Sequence, residues 1–214
     1  MMITNEINEQ FSNPEKIKLP AEVEVDVPKE PDDGAACYQG LAGQFVNEVA
    51  PQTEASRISL LIQFISMLGV MFQSAHTVVG ATRHPLLILL VLVGETSRGR
   101  KGQSWDLVRS TLEQGLADNL KGVKQMSGIT SGEGIIHRVR DPLLDEDGNL
   151  KEKNGNVIDA GVTDKRGIVF EAEFSSLLKV AARPGNTVSE IIRKMFEGGT
   201  LENTNKNSSE RATR

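Results

Sequence analysis

The chain has 214 residues, of which 38% are hydrophobic, enough to bury the core of one domain of ordinary size. Its 24 basic and 29 acidic side chains give a formal net charge of -5, which argues against a surface built mainly to hold polyanions, so any nucleic-acid contact must be local. The single cysteine, Cys37, excludes an internal disulfide, and the N-terminus lacks the pattern of a secretory signal. We therefore expect a cytoplasmic protein.

The first 36 residues are rich in charge and proline and poor in large apolar side chains. A segment of this composition buries too little apolar surface to offset the conformational entropy that is lost on folding. We expect residues 1–36 to be a disordered or linker arm and residues 37–214 to form the folded domain.

Two helices are predicted at the start of the domain. The first spans residues 38–50 and stops at Pro51, and Thr53 is the predicted N-cap of the second. The second helix, residues 58–72, is apolar on nearly all sides. Because it is too short to cross a bilayer and contains polar side chains, we predict a buried core helix and no membrane association.

A run of consecutive apolar residues, 86–93, follows a short β-prone segment at 77–81. The run does not alternate between apolar and polar side chains, a pattern typical of a strand that is buried on both faces. We predict that it forms a central strand of a parallel sheet.

A glycine-rich, basic loop follows this run directly and leads into an amphipathic helix that begins near Trp105. Binding a nucleoside triphosphate requires inward-pointing backbone N–H groups, small residues, a helix N-terminus, a cation and a hydroxyl for Mg²⁺. The loop supplies all of these, so the sequence predicts a phosphate-binding loop (P-loop). The candidate nucleotide-binding residues are Gly94, Thr96, Ser97, Arg98, Gly99, Arg100, Lys101, Gly102, Gln103 and Ser104.

The spacing of the loop departs from the usual pattern, in which four residues separate two glycines and Lys and Ser or Thr then follow. The first two glycines of the loop have that separation, but no hydroxyl follows the lysine. In a second alignment, residues 102–104 match the end of the pattern with glutamine in place of lysine. We prefer this alignment because it leaves Ser104 at the helix start, and Lys101 or Arg100 then reaches the phosphates from within the loop.

Two acidic residues follow a second short apolar run, residues 167–170. In ATPases, one carboxylate near the P-loop holds Mg²⁺, usually through water, and another polarises the attacking water. Glu171 and Glu173 are therefore the candidate catalytic pair. Glu171, together with the hydroxyl of Ser104, is assigned to Mg²⁺, and Glu173 is assigned as the base. Acids at a strand-to-helix junction are also common as N-cap and helix-dipole residues, and this alternative stays open.

The remaining segments complete the predicted domain. Turn-forming residues at 145–157 predict a protruding hairpin insertion, and helices are predicted at 131–139, after Glu173 and at 188–196. The residues after Gly199 are polar, and no closing strand or helix is predicted among them. We therefore expect a domain that is truncated at its C-terminus, a fragment of a longer protein.

Several short motifs are spread over residues 38–214, specific as a series and weak singly. They are Tyr38-Gln-Gly-Leu-Ala-Gly43, Ala81-Thr-Arg-His-Pro85, Leu92-Val-Gly-Glu-Thr-Ser-Arg-Gly-Arg-Lys-Gly-Gln-Ser-Trp105, Ser127-Gly-Ile-Thr-Ser-Gly-Glu-Gly134, Asp164-Lys-Arg166, Glu171-Ala-Glu-Phe174 and Lys206-Asn207 through Arg211-Ala-Thr213. The series resembles an uncharacterised family of P-loop proteins found beside primase modules in phages and mobile elements. That family is similar to hexameric RecA-like replicative helicases.

The resemblance implies an α/β fold: a RecA-like P-loop NTPase core with a parallel central sheet, preceded by two helices and incomplete at the C-terminus. It implies ATP and Mg²⁺ as cofactors, assembly of the full-length protein into a homo-oligomeric ring, single-stranded DNA in the ring's channel and a primase module as a partner. Members of the family continue beyond the Arg211-Ala-Thr213 motif into the region that carries the sensor strand and the DNA-facing loops.

Three functional hypotheses result. The first is a helicase-like ATPase that acts in DNA replication of a phage, plasmid or mobile element. The second is a non-catalytic module that binds nucleotide or DNA and scaffolds a primase. The third is an α/β domain that binds no nucleotide, in which the basic side chains of the loop are surface charges.

Overall fold

The structure is a computed structural model, and it describes residues 34–72, 75–94, 100–205 and 208–213. These residues belong to one compact unit, Gly34–Arg214. The predicted arm lies outside the described residues except for its last three positions, and it stays a prediction. The described residues form a mixed α/β fold in which every sheet has two strands.

Both predicted N-terminal helices are present. A 3-10 turn, Ala35–Cys37, precedes helix α1, Gly40–Val49, and a second such turn, Ala50–Gln52, precedes helix α2, Arg57–Met71. The prediction that Thr53 caps the second helix is wrong, because the N-cap is Ser56. The Thr53 hydroxyl instead accepts a hydrogen bond from the N–H of Ala55 at 3.1 Å, the local turn that Ser and Thr form readily.

An antiparallel hairpin of β1, His76–Val79, and β2, Thr82–Pro85, follows α2. The apolar run at 86–93 comes next, and here the structure differs from the prediction of a central buried strand. No strand among the described residues pairs with it. Six of its side chains are between 36% and 91% exposed. A strand is buried on both faces only where its sheet is covered by a layer on each side. The run does contact α2, where the carbonyl oxygen of Leu86 approaches Gly69.

The middle of the described chain contains three helices and one short strand. Helix α3, Lys101–Gly115, and the single turn α4, Ala117–Leu120, lead to strand β3, Lys124–Met126. Helix α5, Gly132–Arg138, begins where predicted, since the hydroxyl of Ser131 at its N-cap accepts from the N–H of Gly134 at 3.2 Å.

The predicted hairpin region contains the short antiparallel strands β4, Glu152–Lys153, and β5, Asn156–Val157. Its turn residues, Asn154 and Gly155, have φ of 56° and 76°. Positive φ at both turn positions is the type I′ geometry that an Asn-Gly pair favours, which is why this sequence forms a tight hairpin.

The last third of the chain contains strand β6, Gly167–Val169, and helices α6, Phe174–Ala181, and α7, Val188–Glu197. The prediction that no strand follows Gly199 is wrong. Strands β7, Leu201–Asn205, and β8, Ser208–Ala212, form an antiparallel hairpin. Leu201 and Ala212 are paired in this hairpin and are buried in the second core described below, so two apolar positions suffice to anchor an otherwise polar segment.

Strands β3 and β6 form the parallel pair of the described structure, with Gln125 opposite Ile168. Successive side chains of β6 point to opposite faces. Ile168 and Phe170 pack against the core formed by α1, α2 and α3, and Val169 packs against a second core formed by α5, α6, α7 and the β7–β8 hairpin. The pair therefore lies between two helical layers.

Among the described residues, no helix is both long enough and apolar enough to span a membrane. This agrees with the prediction that the helix at residues 58–72 belongs to the core.

Candidate functional site

The predicted P-loop ends at the first turn of α3. Helix α3 begins at Lys101, and Arg100 occupies its N-cap with φ 41° and ψ 31°. This left-handed backbone conformation is unfavourable for a residue with a Cβ atom, and such residues are found preferentially at ligand-binding sites. Residues 95–99, which include the candidates Thr96, Ser97, Arg98 and Gly99, lie outside the described residues.

The two ends of the loop are joined by a side chain. The Nζ atom of Lys101 donates a hydrogen bond of 2.9 Å to the carbonyl oxygen of Gly94. This contact places Gly94 beside the first residue of α3. A helix N-terminus of this kind presents backbone N–H groups that can bind an anion.

The first turn of α3 presents some candidate residues to solvent and hides another. Gly102 and Gln103 are exposed, and the space beside the Cα of Gly102 is open within 4 Å. Ser104 is fully buried, and its hydroxyl donates to the carbonyl oxygen of Lys101 at 2.8 Å. The hydroxyl oxygen must therefore turn out of the helix before it can bind Mg²⁺.

The two predicted acids occupy different positions. An Oε1 atom of Glu171 accepts a hydrogen bond of 2.8 Å from the N–H of Ile129, in the loop after β3. Glu173 is the N-cap residue of α6, where its side chain makes no capping bond but lies 3.5 Å from the hydroxyl of Ser176. Glu171 therefore connects the ends of the two parallel strands, whereas Glu173 is exposed at a helix start.

An aromatic contact packs the start of helix α3 against the end of strand β6. The rings of Trp105 and Phe170 stack with centroids 4.8 Å apart and planes 15° apart. Trp105 directly follows Ser104, and Phe170 directly precedes Glu171. The start of α3 is thus packed against the carboxyl end of a parallel strand that is followed by two acids.

The loop after β3 belongs to the same edge of the sheet. Its Thr130 carbonyl accepts from the Nδ2 of Asn186 at 2.8 Å, and its Gly128 has φ of 64°. At the start of α5, the backbone N–H of Glu133 holds the pKa of that carboxyl below its ordinary value, and the hydroxyls of Thr187 and Ser131 act in the same direction against desolvation. Sequence reasoning missed this loop as part of the site, although its residues formed one of the motifs in the resemblance.

A shallow depression of about 510 Å³ lies beside the first turn of α3. It is lined by Pro51, Gln52, Thr53, Glu54, Arg100 and Gln103, and we call it the Glu54 depression. Within it, the guanidinium of Arg100 lies 2.6 Å from the carboxylate of Glu54. Sequence reasoning gave no signal that Glu54 contacts Arg100, because the two residues are 46 positions apart.

Within the part of the chain that the structure describes, no group of three or more His, Cys, Asp or Glu side chains is arranged to hold a metal ion. The predicted magnesium site does not require such a group. Mg²⁺ at nucleotide sites is held by one or two protein oxygens, by phosphates and by water.

Comparison with known proteins found no matching family model, no matching curated protein and no matching solved structure. The functional conclusion therefore depends on the site itself and on the motif series of the sequence.

Proposed function

We propose that this chain is the nucleotide-binding part of a P-loop ATPase with a RecA-like core, and that it binds ATP with Mg²⁺. The observation that supports this best is the stacking of Trp105 on Phe170. It packs the helix that follows a glycine-rich basic loop against the end of a parallel strand that is followed by two acids. Nucleotide hydrolysis needs acids of this kind near the phosphate-binding loop.

Each element of the site has a defined task in this proposal. Backbone N–H groups of the loop and of the first turn of α3 hold the phosphate oxygens, and the helix dipole favours their negative charge. Lys101 and Arg100 lie at the start of the helix and neutralise charge on the phosphates. Ser104 and, through water, Glu171 would hold Mg²⁺, which would help to neutralise the charge of the phosphates.

The biological role proposed for this ATPase is helicase-like work in the DNA replication of a phage, plasmid or mobile element. It rests on the motif series, as do the proposed partners: single-stranded DNA, a primase module and further copies of the chain in a ring. With a net charge of -5, the chain would contact DNA through local basic groups rather than through its whole surface.

Binding of MgATP measured by calorimetry tests the proposal. Lys101→Ala is expected to weaken binding by about tenfold or more, since a hydrogen bond from a charged donor is worth roughly 1.5–3 kcal/mol. Lys121→Ala, which removes an exposed lysine beyond the other end of α3, is the matched control and should bind as the wild type does. Equal affinity of all three proteins would show that MgATP is bound without Lys101 and would contradict the P-loop assignment. No binding by any of them would favour an α/β domain without a nucleotide.

The second candidate, a non-catalytic nucleotide- or DNA-binding scaffold, is favoured by one observation. The groups assigned to chemistry are engaged within the protein: Glu171 with the N–H of Ile129, and Ser104 with the carbonyl of Lys101. Phosphate release by the full-length protein in the presence of single-stranded DNA separates the two candidates. An ATPase releases phosphate in a reaction that Lys101→Ala abolishes, whereas a scaffold binds MgATP without turnover.

A further inference from the structure

The ion pair between Arg100 and Glu54 joins residues that are 46 positions apart in the chain. Arg100 is the N-cap of the P-loop helix, and Glu54 lies in the turn before α2. A guanidinium that pairs with a carboxylate can pair in the same way with a phosphate oxygen.

This contact can be exchanged at little cost. The side chains of Arg100 and Glu54 are 49% and 76% exposed, and ion pairs with such exposure contribute little to stability. A phosphate group carries more charge than one carboxylate and offers more acceptor oxygens, so it competes well for the same guanidinium.

The surroundings of the pair have room for a ligand. The Glu54 depression has a volume of about 510 Å³, and it is shallow, polar and open to solvent, so a phosphate group can enter it without a rearrangement of the chain. Arg100 holds its left-handed conformation at this place, as residues of ligand-binding loops often do.

We propose that the Glu54 depression receives a phosphate group of the bound nucleotide, and that Glu54 is an internal anion that competes with this phosphate for Arg100. The inference rests on the proposed function and extends the site to residues 51–54. In the free protein the guanidinium binds Glu54, and in the complex it binds phosphate. Glu54 thereby lowers the affinity for polyphosphates and acts as a specificity-determining residue, because a ligand without a phosphate gains nothing by displacing it.

Calorimetric titration with MgATP, magnesium tripolyphosphate and adenosine tests this inference. Glu54→Gln removes the competing charge and is expected to tighten binding of both polyphosphates by about two- to fivefold, since exposed ion pairs are worth up to roughly 1 kcal/mol. Arg100→Gln should weaken both by about tenfold or more. Adenosine binding should respond to neither substitution. If Glu54→Gln tightens binding of MgATP but not of magnesium tripolyphosphate, the depression receives the nucleoside instead, and the inference is overturned.

Matched controls come from the neighbouring helices. Glu48→Gln removes an equal charge from the exposed face of α1, and Arg109→Gln removes an exposed arginine, also in an ion pair, from α3. Both are expected to bind the polyphosphates as the wild type does, and melting curves of all variants verify that they are folded.

The double variant Arg100→Gln, Glu54→Gln decides whether Glu54 acts through Arg100. Competition predicts that Glu54→Gln has no further effect once Arg100 is neutral. Equal tightening in that background would mean that Glu54 repels the ligand directly, and it would overturn the inference.

The outcomes also separate this inference from the proposed function. If the wild type binds MgATP through Lys101 but Glu54→Gln leaves the affinity unchanged or lower, only the inference falls. If neither the wild type nor Glu54→Gln binds MgATP or tripolyphosphate, both fall together.

Discussion

Glu171 has two roles that single substitutions can separate. Its carboxylate is the candidate magnesium-side acid, and it also accepts the N–H of the buried residue Ile129. A buried N–H that loses its acceptor carries a desolvation penalty of roughly 1–3 kcal/mol. Glu171 therefore contributes to the stability of the fold whether or not it takes part in chemistry.

We predict that Glu171→Ala lowers the free energy of unfolding by about 1–3 kcal/mol, because the N–H of Ile129 is left unpaired. Glu171→Gln keeps an acceptor oxygen and should cost less than about 1 kcal/mol. Urea unfolding monitored by circular dichroism measures both values. Glu173→Ala is the control, since the side chain of Glu173 is exposed and makes no capping bond. Equal losses for Glu171→Ala and Glu173→Ala would contradict the connecting role of Glu171.

Residue-level patterns named candidate residues in the loop, at the start of α3 and after β6, because local spacing marks them, and their role in nucleotide binding stays a prediction. The same patterns did not indicate Glu54 and Ile129, because their contacts with Arg100 and Glu171 span 46 and 42 positions of the chain. Contacts of that separation depend on how the elements pack, which no local pattern encodes.

At the level of helices and strands, the sequence predicted most helices and missed elements whose formation depends on packing. Helices α1, α2, α3, α5, α6 and α7 follow from apolar periodicity and from capping residues, so they were predicted within a few residues. The β7–β8 hairpin was missed because its sequence is polar and its anchors, Leu201 and Ala212, lie at its ends. The run at 86–93 has the composition of a buried strand, but burial is decided by neighbours rather than by composition.

The contact between α2 and this run depends on a glycine. A Cβ atom at Gly69 would lie 2.0 Å from the carbonyl oxygen of Leu86, and that oxygen belongs to the backbone and cannot turn aside. The helix and the extended run can approach each other only because this side chain is missing.

We predict that Gly69→Ala destabilises the protein by about 1–3 kcal/mol through the backbone shift that it forces. The control is Gly115→Ala at the end of α3, where a Cβ atom meets nothing within 4 Å. Alanine is the better helix former, so the control should be neutral or stabilise the protein by up to about 1 kcal/mol. Thermal unfolding compares the two variants, and a Gly69→Ala protein as stable as the control would refute the close packing.

At the scale of the whole molecule, ion pairs stabilise the packing of the segment between α5 and β6 against the rest of the fold. Arg140 pairs with Asp159 at 2.6 Å, and Arg166 pairs with Asp164 at 2.8 Å while it donates to the carbonyl of Asn119. Asp141 binds Lys165 and accepts from the N–H of Thr213 at 2.9 Å. These contacts tie the hairpin region and the end of β8 to the rest of the fold.

The ion pairs give the protein a sensitivity to acid. Hydrogen bonds from Arg140 hold the pKa of Asp159 below its ordinary value of 3.8, and those from Arg166 do the same for Asp164. A carboxyl whose pKa is lower in the folded than in the unfolded state contributes stability above its ordinary pKa, and this contribution is lost as the pH falls through the folded value. The free energy of unfolding should therefore decrease below about pH 5.

We predict that Asp159→Asn lowers the stability at pH 7 by about 1–2 kcal/mol and makes the loss of stability between about pH 5 and 3 shallower. Asp106→Asn, at an exposed position of α3, is the control and should leave both unchanged. Urea unfolding at a series of pH values measures the slope. An Asp159→Asn slope as steep as that of the wild type would show that this pair is not formed in solution.

The stacked pair of Trp105 and Phe170 has a practical consequence. Trp105 is the one tryptophan of the chain, so all tryptophan fluorescence of the protein originates where helix α3 meets the end of strand β6. A rearrangement that separates the two rings, or that admits water beside them, changes the colour and intensity of that emission. The molecule thus carries a built-in optical reporter at the place where its chemistry is proposed to occur.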